Sequence, residues 1–484
     1  MALVIAMPDI AQDLLIARLR WPVPLVRWRA ARALRDLLNE PETCGSTSRA
    51  LLAELAECRT EYRASEILTV FLCASPEARP TAPELTAHLR APSIASSILI
   101  RHICGDNVEV QWKRAHSGEA PPHFEPAPYF EEMRTSHASP RLSDNIFDFQ
   151  KRTKRPFYRQ WAWEWERLCD VTAAPFTRYP YYFDDFGDVK AKLQGHYLQS
   201  QADIYRSAYW RCFAFAVDQW GLAPHTVAHY CAEFLPIAAD MFELDPLARP
   251  EWLGELPEIC AADPDSLAST ARAIVEAGRA AGEFPIAMHI PLSPEVEPYG
   301  YIKITAYFAA HDFRPGEGFE ELPTYFVPAA QGLRISGPLP DQMPERGRLT
   351  GASGHAVPAA VDLIPLPFGQ WQGTFSRIGM SVPSALIAGA GAVVRIEDHK
   401  MVVADLSGVI GSTRFWLDHW SPRAPLGGAT PCGVLCTVCP EHLSDCLAAN
   451  GAKIYWVAKL CLWRREREYE EYSKQEHEIG FFDG

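Results

Sequence analysis

The sequence predicts an α-helical half followed by a mixed half, with αα-hairpins of helical-repeat type at the amino terminus and a smaller α+β domain after them. Two observations carry this. The first hundred residues read as three helical hairpins opening near Asp9, Thr47 and Thr81, spaced by 38 and 34 residues, a period that belongs to stacked helical repeats. Beyond residue 260 the helical stripes give way to runs rich in β-branched and aromatic residues. The expected division is 1–115 for the helical hairpins, 116–260 for further helices with irregular loops, and 261–484 for the α+β domain.

In the first hairpin Asp9 suits an N-cap, and Ile10, Leu14, Ile16 and Ala17 mark an apolar face. Trp21-Pro22-Val23-Pro24 ends that helix because proline cannot continue the hydrogen-bond ladder, and Pro24 fits the first turn of the next. Val26, Ala30, Ala33, Leu34 and Leu37 then fall at three- and four-residue spacing. The segment Pro24-Leu25-Val26-Arg27-Trp28-Arg29-Ala30-Ala31-Arg32-Ala33-Leu34 resembles the HEAT repeat family, in which a proline-bearing turn precedes a Val-Arg pair, alanines and a leucine. The resemblance covers about 30 residues; Leu51, Leu52, Leu55 and then Ile67, Leu68, Phe71, Leu72 supply only apolar stripes to the next two hairpins. It implies a curved solenoid used for binding, and no activity.

Loops are expected at 117–128 and 135–145, where proline, glycine and polar residues interrupt the pattern. Helix resumes near Pro156, with Trp161 and Trp165 four residues apart on one face, read as aromatic packing rather than a stacking platform for bases or sugars. From 200 to 220, Ile204, Ala208, Cys212 and Ala216 run beside Tyr205, Tyr209, Phe213 and Val217, a face broad enough to need several neighbours. Gly221 ends this helix and Pro224 starts another.

A helix over 265–281, with Ala268, Ala271, Ile274 and Val275 on one side, introduces the second half. Strands are predicted at 284–290, 301–308 and 393–396, and near the end at 434–438 and 453–463 with a helix over 441–449 between them. The proline- and glycine-rich stretch 336–358 reads as an exposed loop, and the charged tail 464–478 as helical or frayed.

With 48% hydrophobic and 22% charged residues, the chain has the composition of a folded protein rather than a disordered one. Its formal charge of −14 argues against a general nucleic-acid binder, because duplex affinity comes mainly from basic groups displacing counterions. The basic run Lys151-Arg152-Thr153-Lys154-Arg155 reads as a solvated helix entry, and the acid-rich segment 233–265 as a solubilising face. Thirteen cysteines, odd in number and spread over the whole length, point to a reducing cytoplasm. The apolar start Met1–Met7 lacks a leading positive charge, and no apolar stretch reaches the ~18 residues of a membrane span.

Five constellations bear on chemistry. His225, His229 and Glu233 stand at i, i+4 and i+8, so one helix face presents two imidazoles and a carboxylate, all legitimate metal ligands. The position after the first histidine is Thr226, where a metallopeptidase helix places glutamate. Cys432, Cys436, Cys439 and Cys446 around His442 hold one C-x-x-C and no second; Cys432 and Cys436 alternate with Val434 and Val438 on one strand face and Cys446 falls in the following helix beside Leu443 and Leu447, so cysteine serves here as a small hydrophobe. Asp184-Asp185-Phe186-Gly187-Asp188 has the letters of a kinase magnesium motif without its companions, and Gly389-Ala390-Gly391 lacks a dinucleotide fold's third glycine. Glu397, Asp398, His399, Lys400 and Asp405 cluster about a hairpin, where acids and a lysine are the raw material of metal-dependent nucleases and also of any polar turn.

No convergent catalytic set and no cofactor motif emerges. The chain is expected to be a cytoplasmic helical-repeat scaffold or recognition protein that binds another macromolecule, a protein partner rather than nucleic acid or membrane. Its arginines 18, 20, 27, 29, 32 and 35, against the acidic segment, predict a polarised surface. Such a scaffold would suit a multi-component bacterial system such as defence against phage. The alternative is a metal-dependent hydrolase or nuclease whose site lies in the α+β domain, with Glu397, Asp405 and the helix histidines converging.

Overall fold

Proline decides where many of the helices begin, because its fixed φ suits the first turn and its missing N–H is not needed there. The computed structural model describes residues 7–21, 23–105, 108–137, 140–172, 190–237, 241–254, 264–292, 299–319, 325–327, 349–351, 354–365, 380–389, 392–417, 432–464, 467 and 473–482. The chain falls into two compact units that divide between Phe242 and Glu243.

The first unit is helical. It opens with α1 (Met7–Arg18), α2 (Pro24–Asn39), α3 (Pro41–Glu57), α4 (Glu61–Cys73), α5 (Ala82–His88) and α6 (Ile94–Cys104). Alternate helices share a layer: α3 packs on α1 and α5, and α4 on α2 and α6. The second hairpin begins at Pro41, not at Thr47, which is buried inside α3 and accepts a hydrogen bond from Gln12 Nε2 at 3.0 Å. The Thr47 hydroxyl serves a neighbouring helix and marks no helix start. Thr81 does cap α5, in a reciprocal box with Glu84.

The helices α7 (Pro128–His137) and α8 (Pro140–Thr153) occupy most of the expected loop 135–145. Phe130, Leu142, Ile146 and Phe149 give this stretch a buried stripe that its polar residues obscured. The basic run closes α8 instead of opening a helix: Lys154 has φ 58°, and Arg152 pairs with Asp148 at 3.0 Å across the last turn.

Next come α9 (Phe157–Thr172), α10 (Lys190–Trp220) and α11 (Pro224–Ala232). Tyr205, Tyr209, Trp210, Phe213 and Phe215 are all buried, so α10 is covered on several sides between Ile204 and Val217, and it packs on α4, α6, α7, α9 and α11. Trp161 and Trp165 are buried against it, with Trp161 Nε1–H donating to Tyr205 O at 3.1 Å and Tyr205 O–H donating to Phe130 O at 2.9 Å. Rings buried in this way are core and not a stacking platform. Arg27 is likewise interior, 3.5 Å from Glu66, and Arg20 pairs with Glu54, so the early arginines are in part consumed by internal ion pairs.

The first α-helix of the second unit is α12 (Pro264–Ala280), whose Leu267, Ala271, Ile274 and Val275 are buried. Its strands are β1 (Phe284–Pro291), β2 (Tyr299–Ala310), β3 (Pro315–Phe319), β4 (Tyr325–Val327), β5 (Leu349–Gly351), β6 (Gly354–Pro358), β7 (Ala360–Pro365), β8 (Met380–Pro383), β9 (Val393–Glu397), β10 (Lys400–Asp405), β11 (Gly408–Leu417), β12 (Cys432–Val438), β13 (Ala452–Arg464) and β14 (Ser473–Phe482). The main sheet is antiparallel and runs β14-β13-β2-β1-β12-β11-β10-β9, with β6, β5 and β3 continuing from the far end of β2; β4, β7 and β8 form a smaller sheet. α12 covers β1, β13 and β14.

Two expectations change here. The presumed loop 336–358 contains β5 and β6 in its last part, while 336–348 lie outside the described residues. Of the charged tail, 473–478 lie in strand β14, in unbroken register with β13 from Tyr455↔Phe482 to Arg464↔Ser473, while 465–466 and 468–472 lie outside the described residues. Lys459 and Lys474 both reach Glu476, at 3.1 and 2.7 Å, so cross-strand charge supports a pairing that local periodicity did not announce.

Candidate functional site

Three interhelical connections of the first unit converge on one cavity of about 550 Å³, a size that suits a small ligand or one side chain of a partner. The α3–α4 turn brings Arg59, the α5–α6 turn brings Arg90, and the segment after α6 brings Arg114 and His116, while α10 supplies Arg211. Ala91, Pro92 and Val171 add apolar wall. Four arginines thus face one carboxylate, that of Glu61.

Glu61 is the first residue of α4, where the unpaired amides favour a negative charge. It is 1% exposed, and one oxygen accepts from Arg211 Nε–H while Oε2 has no hydrogen-bond partner. Burial pushes this carboxyl up and Arg211 holds it down. Arg59, Arg90 and Arg114 are exposed and make no ion pair or hydrogen bond among the described residues.

The wall behind Arg211 is rigid. Glu164 of α9 is buried and accepts Ser117 N–H on both oxygens, at 2.9 and 3.0 Å, with Gln160 Nε2 adding a third bond at 3.1 Å. Burial raises the Glu164 carboxyl, and the Ser117 N–H together with the Arg211 and His116 charges oppose that. His116 accepts Gly118 N–H at Nδ1, 3.1 Å, which places the neutral ring's proton on Nε2, 3.2 Å from Asp218 Oδ2. Its ring meets Phe215 edge-on. These contacts fix the 116–118 backbone beside the cavity.

The residues singled out from the sequence fare differently. His225 is exposed on α11 and His229 lies edge-on to Tyr230, but Glu233 caps the helix and is buried, accepting from Asn145 Nδ2 at 3.1 Å and Arg141 Nε at 3.3 Å. The i, i+8 relation assumed a helix that ends just before Glu233, and the carboxylate is spent inside the unit. Among the described residues no three His, Cys, Asp or Glu side chains gather as a metal site.

Cys432 and Cys436 are buried on β12, Cys439 Sγ–H donates to Glu441, and His442 contacts Ile387 O at 2.5 Å. Asp398 and His399, with φ 46° and 63°, form the two-residue turn joining β9 to β10, with Glu397 opposite Lys400. Asp405 ends β10, about 17 Å from Lys400 at ~3.4 Å per residue, where its Oδ1 accepts from Ser407 N and Gly408 N. Glu397, beside the turn on β9, and Asp405, at the far end of β10, are therefore held at opposite ends of one hairpin. The segment Asp184 to Asp188 lies outside the described residues, as do Ala390 and Gly391.

Sequence reasoning missed the cleft. Its members span more than 150 positions, and the legible trace is only that an arginine recurs in successive connections at 59, 90 and 114. Compared with known proteins, the chain matches no family model and no curated protein. Among the described residues no helix is long and apolar enough to cross a membrane.

Proposed function

We propose that this chain is a cytoplasmic helical-repeat recognition protein that binds another protein, and that the arginine-lined cleft receives an anionic group of that partner. The observation that carries this reading is the set Arg59, Arg90 and Arg114, three exposed guanidinium groups on separate connections around one cavity, none of them in an ion pair or hydrogen bond among the described residues. Guanidinium groups so placed suit recognition of carboxylate or phosphate oxygens. A protein partner fits better than nucleic acid because the cationic groups ring a single cavity and form no stripe to follow a backbone, on a chain of formal charge −14. The cytoplasmic setting follows from the cysteine spacing.

The test is affinity purification of the tagged full-length protein from its native cell beside the Arg59→Gln/Arg90→Gln/Arg114→Gln variant. A stoichiometric partner that the variant loses while keeping its helical circular dichroism supports the reading. A partner retained in full by the variant overturns it.

A further inference from the structure

We infer that the cleft holds a phosphate group with Glu61 protonated, its Oε2–H donating to a phosphate oxygen, so that binding carries a proton into the helical unit. This rests on reading the cleft as an anion site.

The geometry sets the problem. An ionised carboxylate inside an anion site repels the ligand, yet Glu61 is in the lining, with Oε1 taken by Arg211 and Oε2 unpartnered at 1% exposure. Protonation removes the repulsion and turns the orphan oxygen into a donor, so one proton satisfies both the carboxyl and the ligand. Burial already pushes the carboxyl in that direction.

Among the described residues, these are the charged groups around the cavity and Glu61. Arg59, Arg90 and Arg114 border the cavity on three connections, His116 sits beside them with its Asp218 contact, and Arg211 comes from α10 with Glu164 of α9 behind it. A tetrahedral oxyanion takes donors converging from several directions, as these do. A planar carboxylate is best matched by a single coplanar fork.

Isothermal titration of the full-length protein with sulfate and with inorganic phosphate tests the inference, sulfate being a dianion that does not titrate near neutrality. Sulfate binding should take up about one proton, read from buffers of different ionisation enthalpy, and its affinity should fall by about tenfold per pH unit above the free carboxyl's pKa. Glu61→Gln, whose amide donates but cannot take up a proton, should lose both the uptake and the pH dependence.

The inference is overturned if anions bind wild type without proton uptake, or if phosphate binds and sulfate is refused, since Glu61 would then be an ionised acceptor for a protonated phosphate. Uptake that survives Glu61→Gln and vanishes in His116→Gln overturns it as well. If neither anion binds, or the triple arginine variant binds like wild type, the anion-site reading itself falls. N-acetyl-O-phosphoserine amide binding more tightly than inorganic phosphate assigns the group to a modified partner, and equal binding to the free ion; about one proton is expected with either.

Discussion

Arg211 in the middle of α10 donates its Nε–H to Glu61 at the start of α4, 150 residues away in sequence, and commits only one of that carboxylate's two oxygens. The pair welds the cleft floor to the longest helix of the unit while leaving a polar atom for a ligand.

Replacing Arg211 by methionine should therefore destabilise the helical unit by about 1–3 kcal/mol, the cost of stranding a buried polar group. Without the guanidinium the raised Glu61 carboxyl moves higher still, so the folded state holds a proton that the unfolded chain releases. The loss should grow as pH rises above the ordinary carboxylate range. Urea unfolding near pH 5 and near pH 8 would expose this, and equal losses at both would contradict it.

Asp203 supplies a second pH dependence. Burial, and then the neighbouring Glu66, push its carboxyl up to about 7, while Arg206, Arg27 and Arg63 pull the other way. Between its ordinary value and about 7 the folded protein binds a proton that the unfolded chain has lost, so this contribution to stability declines as pH rises through that window and levels off above it. Asp203→Asn should flatten the decline, gaining on wild type by up to about 1.4 kcal/mol per pH unit. Parallel stability curves for the two proteins across that window would rule the assignment out.

Two glycines should respond in opposite ways. Gly433 of β12 lies opposite Trp416 of β11, and a Cβ there would fall 2.1 Å from a ring that is 1% exposed and cannot retreat. Gly433→Ala should cost the sheet unit about 1–3 kcal/mol or more. Gly45 in α3 has open space around it and an unremarkable backbone, so Gly45→Ala should stabilise by up to about 1 kcal/mol. Thermal unfolding of both variants checks the pair, and a stable Gly433→Ala would be the contrary result.

The histidine helix gives a contrast of its own. Glu233→Ala removes the acceptor of Asn145 and Arg141 and should cost about 1–3 kcal/mol, whereas His225→Ala at an exposed position should stay within about 0.5 kcal/mol. Urea unfolding of each, with metal analysis of the wild-type protein, separates this structural role for Glu233 from a shared metal. Bound zinc or iron lost from both variants would restore the ligand reading.

Much of the architecture was legible because it is local. The strands 284–290 and 393–396 and the turn at Asp398-His399 follow from β-branched content and turn chemistry, and the helix after Cys439 from Pro440 at its start and Gly451, φ 57°, at its end. The cleft was not legible. Neither Arg59 nor Glu61 differs in sequence from any other charged residue near a helix end.

The sequence by itself determined the kind and approximate place of most helices and strands, since those depend on side-chain period, proline and glycine within a few residues of one another. Only the tertiary structure decided what the polar groups do. Thr47 became a buried acceptor, residues 473–478 of the charged tail became a strand because β13 offered them a partner, Glu233 was drawn inward by Asn145, and Glu61 met an arginine from a helix 150 residues on. Those outcomes are set by desolvation and by which opposite groups are near in space, and neither is recorded in local pattern.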